Sequence, residues 1–144
     1  MSFTTCLIVM VGGALGTLAR YLVSVAAMPI SRFIPWGTIL PINALGSFVI
    51  GFFGTLTLAD GRYPVSENMR LFVMIGLCGG YTTFSSFSLQ TLDLIRNDAW
   101  GRASVNVAAS VILCIGAVAL GHITADGFNT GAIRIAQTAT EEDA

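Results

Sequence analysis

Four stretches of mostly apolar residues, each long enough to cross a bilayer, dominate this chain. They run from about Thr5 to Met28, Trp36 to Ala59, Asn68 to Ile95 and Ala103 to Thr124. A hydrocarbon core of about 30 Å needs about 20 such residues per helix. The joints between them, Pro29 to Pro35, Asp60 to Glu67 and Arg96 to Arg102, are too short to be domains. The expected fold is an all-α membrane protein of four transmembrane helices, spanning residues 1–124. Residues 125–144 form a polar tail ending Glu141-Glu142-Asp143, expected to be disordered or loosely held at the surface. No basic residue precedes the first stretch, so it is expected to stay as a span and not to be removed as a signal peptide.

Charge supports this reading. Only 10% of residues are charged, against about 25% in soluble domains. That excludes a disordered chain, a basic nucleic-acid-binding domain and an ordinary soluble enzyme. The net charge of -1 supplies no field to attract nucleic acid. Cys6, Cys78 and Cys114 lie in apolar runs and are odd in number, so they are expected to be small buried hydrophobes and not a disulfide framework.

The basic residues are seven arginines, with no lysine. With four spans, both termini and the second joint share one side, which holds Arg62, Arg70 and Arg134. Arg32, Arg96 and Arg102 lie on the other, and Arg20 falls inside a span. The count is balanced, so the positive-inside rule selects no orientation. Either another signal orients the chain, or copies insert both ways and can form an antiparallel dimer.

The third span carries the most unusual composition. Residues 76–88 read Gly-Leu-Cys-Gly-Gly-Tyr-Thr-Thr-Phe-Ser-Ser-Phe-Ser. Glycines weaken a helix by about 1 kcal/mol each, and successive hydroxyls offer the backbone other partners. One reading is a helix broken around Gly79 to Thr83, with unwound carbonyls able to hold a small cation. The other is a packing face, because Gly76 and Gly80 have GxxxG spacing. Phe84 and Phe87 share a helix face. They either pack or offer electropositive ring edges to an anion.

Neutral donors recur elsewhere. Asn43 can bridge helices or donate two N–H bonds to an anion. Asn106, Ser110 and Cys114 form a weakly polar stripe on the fourth span, and Gln90 adds an amide near the end of the third. Such a lining suits an anion held weakly enough to leave. Arg20 either snorkels to the interface or marks an anion entrance. Gly12, Gly13 and Gly16 miss the dinucleotide fingerprint because position 11 is Val. His122 has no cysteine or carboxylate cluster near it in sequence to make a metal site. No nucleophile–base–orienter set can be assembled, which argues against an enzyme.

The strings Gly13-Ala14-Leu15-Gly16-Thr17-Leu18-Ala19-Arg20-Tyr21, Pro35-Trp36-Gly37-Thr38, Asn43-Ala44-Leu45-Gly46-Ser47 and, most specifically, residues 76–88 resemble the Fluc/CrcB fluoride channels over about residues 5–124. The resemblance implies four-helix subunits in an antiparallel, dual-topology homodimer with two fluoride pores in the cell membrane. It implies a fluoride pathway at Asn43, Thr83, Phe84, Phe87, Asn106 and Ser110, with Arg20 and Gln90 in a vestibule. It also implies a structural Na+ on the dimer axis, held by the main-chain carbonyls of Gly79 and Thr82. Some positions depart from the family pattern. Thr38 and Asn43 lie five residues apart instead of four, with Pro41 between them, so Thr38 is not carried over as a pore residue. Cys114 stands where a second serine of the polar track can occur, Gln90 where some relatives have glutamate and Asn106 where some have an aromatic hydroxyl.

The implied activity is passive export of cytoplasmic fluoride down its electrochemical gradient, giving protection against fluoride toxicity. A carrier of the small multidrug-resistance type is the alternative, but it needs a glutamate in the first span, which has none. A non-conducting assembly subunit is a third reading, with every polar residue serving packing.

Overall fold

A computed structural model describes residues 2–31, 39–58 and 63–142, except for the side chains of 30, 31 and 131–142. Arg32, Arg62, Asp143 and the Pro35–Thr38 motif, Thr38 included, lie outside the described residues. The described residues form helices joined by short turns, without a strand: α1 (Phe3–Ala26), α2 (Met28–Ser31), α3 (Ile39–Leu56), α4 (Glu67–Arg70), a π-helical segment (Leu71–Cys78), α5 (Gly79–Tyr81), α6 (Phe84–Arg96) and α7 (Trp100–Glu142). Four stretches are long and apolar enough to cross a membrane: Phe3–Ala26, Ile39–Leu56, Glu67–Arg96 and Trp100–Thr130. This is the architecture of a multi-pass membrane protein.

The helices associate as two tight pairs. One pair is α1 with the first half of the third span; the other is α3 with α7. In lipid, helices gain little from burying apolar surface against each other, so close backbone contact must supply the attraction. Glycines make it available. A methyl group added at Gly12 would lie 2.6 Å from the Phe72 carbonyl oxygen, and one at Gly76 would lie 2.9 Å from Gly12 Cα. Gly16 and Gly80 meet the opposite backbones in the same way. Each helix thus contributes a GxxxG pair. In the second pair, Gly51 lies against Val118 and Gly121 against Phe48 and Phe52.

The third span is both packed and broken, so the two readings of its small residues coexist. The glycines do not make the break. Gly79 and Gly80 remain helical, and the chain opens at Thr82 (φ −81°, ψ 159°) and Thr83 (φ −151°, ψ 105°). Branched side chains adopt extended backbone readily, whereas Gly80 is needed for close approach to α1. The break therefore falls at the C-terminal end of the expected range.

Two further expectations change. The last helix does not stop at residue 124, where the apolar run ends. It crosses the expected tail boundary, with Ala125 buried, Asn129 donating from Nδ2 to the Thr55 carbonyl at 3.1 Å and Phe128 edge-on to Phe52. A polar residue keeps its helix there because it has a partner on α3. Of the three thiols, only Cys78 is buried, and Cys6 is exposed. A lipid-facing helix surface is as apolar as a core, so an apolar run does not imply burial in protein.

Candidate functional site

The break is held open by Asn43. Its Nδ2 donates to the Thr83 carbonyl at 3.1 Å, and the Thr83 amide donates to its Oδ1 at 2.8 Å. One of its two amide hydrogens is thereby committed, so Asn43 keeps one to give an anion, not the two its chemistry allows. Thr83 is buried and caps α6, its Oγ1 accepting from the Ser86 amide at 3.2 Å. The Thr83 hydroxyl in turn donates to Ser86 Oγ at 2.9 Å.

These diversions leave two carbonyls without their usual helical partners. Thr83 N–H, four residues beyond Gly79, goes to Asn43. Ser86 N–H, four residues beyond Thr82, goes to Thr83 Oγ1. Gly79 and Thr82 are the residues whose carbonyls the family resemblance assigns to a cation. Gly79 is also exposed, and a methyl group there would meet nothing within 4 Å. Gly79 and Thr82 thus each keep a carbonyl oxygen without its helical N–H, the type of ligand a small hard cation takes.

Two concavities flank the Asn43–Thr83 tie. One, of about 300 Å³, is lined by Asn43, Ser47, Gly79, Thr82, Thr83, Phe84 and Cys114 among others. The second, of about 400 Å³, gathers Thr17, Arg20, Tyr21, Ser24, Thr83, Ser86 and Gln90 beside Ile39 and Ile42. Thr83 belongs to both, so the tie is their shared wall. No carboxylate lines either one among the described residues. The first lies between the two helix pairs, and Arg20 and Gln90 share the second.

Of the remaining candidates, Phe87, Asn106 and Ser110 lie outside these two linings. The Phe84 and Phe87 rings are 5.3 Å apart and inclined at 50°, but only Phe84 reaches the first concavity. Phe84 is 77% exposed, on a face left open among the described residues. Asn106 is only 3% exposed; its Nδ2 donates to Thr91 Oγ1 at 2.9 Å, and Thr91 donates to the Phe87 carbonyl at 2.8 Å. It ties α7 to α6. Ser110 is half-buried one helical turn before Cys114, and its hydroxyl takes no partner among the described residues. Ser47 and Ser86 stand in the strings that carry the family resemblance but receive no role from it. The Thr83-x-x-Ser86 spacing after a break is a capping pattern that marks Ser86; Ser47 has only its helical spacing from Asn43 to mark it.

A multi-pass helical protein with neutral donors gathered at a broken helix defines the class. The chain belongs to the CrcB family: its residues 7–122 match the model described as CrcB-like protein, Camphor Resistance (CrcB). It is 74% identical over 143 residues to a protein of Methylobacterium radiotolerans called fluoride-specific ion channel FluC, covering 99% of both chains. Proteins of the same name from Methylocella silvestris and Opitutus terrae are 57% and 52% identical. The matches cover 84% and 86% of this chain, and 92% and 94% of theirs.

Proposed function

We propose that this protein is a fluoride channel of the cell membrane that passes fluoride out of the cell down its electrochemical gradient. The observation that carries this reading is the near end-to-end similarity to channels called fluoride-specific. Its site supports the chemistry. Dehydrating even a carboxylate-sized anion costs on the order of 20 kcal/mol in the idealised Born limit, so donors must replace water along the path. Asn43 offers its remaining N–H, Ser110 its hydroxyl, and Phe84 and Phe87 their ring edges. Arg20 raises the local anion concentration at the vestibule it shares with Gln90. Without a lysine or a second arginine in the linings, an anion is held weakly enough to leave.

The working unit in this proposal is an antiparallel homodimer. Ile75, Gly79 and Phe84 leave one face of the third helix uncovered within the chain, and the balanced arginines permit both orientations. The Gly79 and Thr82 carbonyls of two copies would supply four oxygens to a Na+ at the dimer centre. Such an ion adds fixed positive potential beside the pathway.

The test is efflux from liposomes loaded with potassium fluoride, with valinomycin added and a fluoride electrode in the bath. Fluoride leaves rapidly, and chloride-loaded vesicles release little chloride. Vesicles that contain folded protein and release no fluoride would contradict the channel.

A further inference from the structure

Among the described residues, identifiable polar ties link the third span to α3 and α7. One is Asn43 to Thr83, at the break; Asn106 to Thr91 ties α7 to α6 beyond it. The strongest by number of bonds is Arg70. Its Nη1 shares its two hydrogens among the Gly54 carbonyl at 3.1 Å, the Thr57 carbonyl at 2.8 Å and Thr57 Oγ1 at 2.7 Å. Thr57 is 4% exposed, and its hydroxyl donates onward to the Phe53 carbonyl at 2.7 Å. These acceptors close the last turn of α3, where carbonyls lack helical partners and the helix dipole is negative. A guanidinium with several N–H donors meets both needs.

We propose that Arg70 is a positioning residue for the permeation site, acting through Asn43. The two antiparallel helices are tied at both ends. Asn43, near the start of α3, meets Thr83; Gly54 and Thr57, at its end, meet Arg70. One tie lets the helices pivot, whereas two fix both register and tilt. The π-helical segment Leu71–Cys78 begins immediately after Arg70 and runs towards the break. Its wider winding takes up residues between two pinned points, and π-turns of this kind recur at functional sites. Releasing Arg70 frees the end of α3, and Asn43 then loses its two-bond fit to Thr83 and the shape of the first concavity with it. The inference rests on the proposed fluoride pathway for its flux readout, but not for its structural one.

The test combines hydrogen-exchange mass spectrometry in lipid nanodiscs with fluoride efflux from liposomes. In Arg70→Met, exchange over residues 79–86 speeds up at least tenfold and fluoride flux falls at least tenfold. Arg70→Lys keeps a charge with three donors and brings both within about threefold of wild type. A cap that matters only locally would give a different pattern: faster exchange confined to 54–58 and 67–72, with flux within twofold. That result overturns the proposal. Should Arg70→Met fail to fold, Thr57→Val removes one acceptor and leaves the charge. It is expected to speed exchange over 79–86 two- to fivefold, and unchanged exchange there overturns the proposal equally. A wild-type protein that passes no fluoride defeats the channel reading, while exchange still decides the role of Arg70.

Discussion

At the scale of single residues, Asn43 and Phe84 separate two kinds of contribution. Asn43 exchanges two hydrogen bonds with Thr83. Interhelical bonds of this kind are worth about 0.6–1.7 kcal/mol in membranes. Asn43→Ala is expected to lower stability by about 1–2 kcal/mol and fluoride flux by at least tenfold. Phe84 is 77% exposed within its own chain, so Phe84→Ile should leave the fold of the subunit intact and still reduce flux at least tenfold. Thermal unfolding in detergent measures the first effect and liposome efflux the second. Normal flux in both Phe84→Ile and Phe87→Ile, with intact dimers, sinks the ring-edge proposal. What is legible at this scale is chemistry: the amide of Asn43 and the ring edges of Phe84 follow from residue type and spacing, whereas Thr83 enters the pathway only through the family resemblance. Their partners are not legible. That Asn43 commits one hydrogen to Thr83, or that Asn106 is buried against Thr91, depends on helix register, which one sequence does not encode locally. Arg70 shows this most sharply, because in sequence it was one charge in an orientation count.

At the scale of elements, the four spans could be read from hydropathy alone because lipid enforces one pattern over about 20 residues. The break in the third is also readable, and it falls at Thr82 and Thr83, the C-terminal end of the expected stretch. Glycine carries two opposed signals, helix weakening and close packing, and only the partner helix decides between them. That decision can be tested on neighbouring residues. A methyl group at Gly12 would crowd the Phe72 carbonyl and Gly76, whereas one at Gly13 meets nothing within 4 Å. Gly12→Ala is expected to destabilise by about 1–3 kcal/mol through overpacking. Gly13→Ala should be neutral, or stabilising by up to about 1 kcal/mol through helix propensity. Reversible unfolding in SDS–detergent mixtures compares them. Equal effects at the two positions would remove the close-approach account of the α1 pairing. The length of α7 is not legible for a related reason: its polar continuation is held by Asn129 and Phe128 against α3, contacts that hydropathy does not register.

At the scale of the whole molecule, the proposed dimer turns a balance of charges into a functional requirement. Three arginines fall on each side of the four-span topology, so a small excess on either side should fix orientation. Asn97→Lys with Gly101→Lys adds two charges to one side. Gly101 has open space around it, and Asn97 lies in the turn after α6. Ser2→Lys with Asn68→Lys adds two charges to the other side, at exposed positions. Each variant alone is expected to insert one way, to lack antiparallel partners and to pass fluoride at no more than about a tenth of the wild-type rate. Co-expressed, the two supply opposite orientations and flux returns. Labelling of a C-terminal tag from each side of the membrane reports orientation independently of flux. If each variant inserts one way and still conducts fully by itself, the antiparallel arrangement fails, and the uncovered face around Gly79 and Phe84 must meet lipid or a parallel copy. If flux returns only on mixing, the pathway needs two opposed subunits. The Gly79 and Thr82 carbonyls would then face their copies across a two-fold axis in the membrane plane.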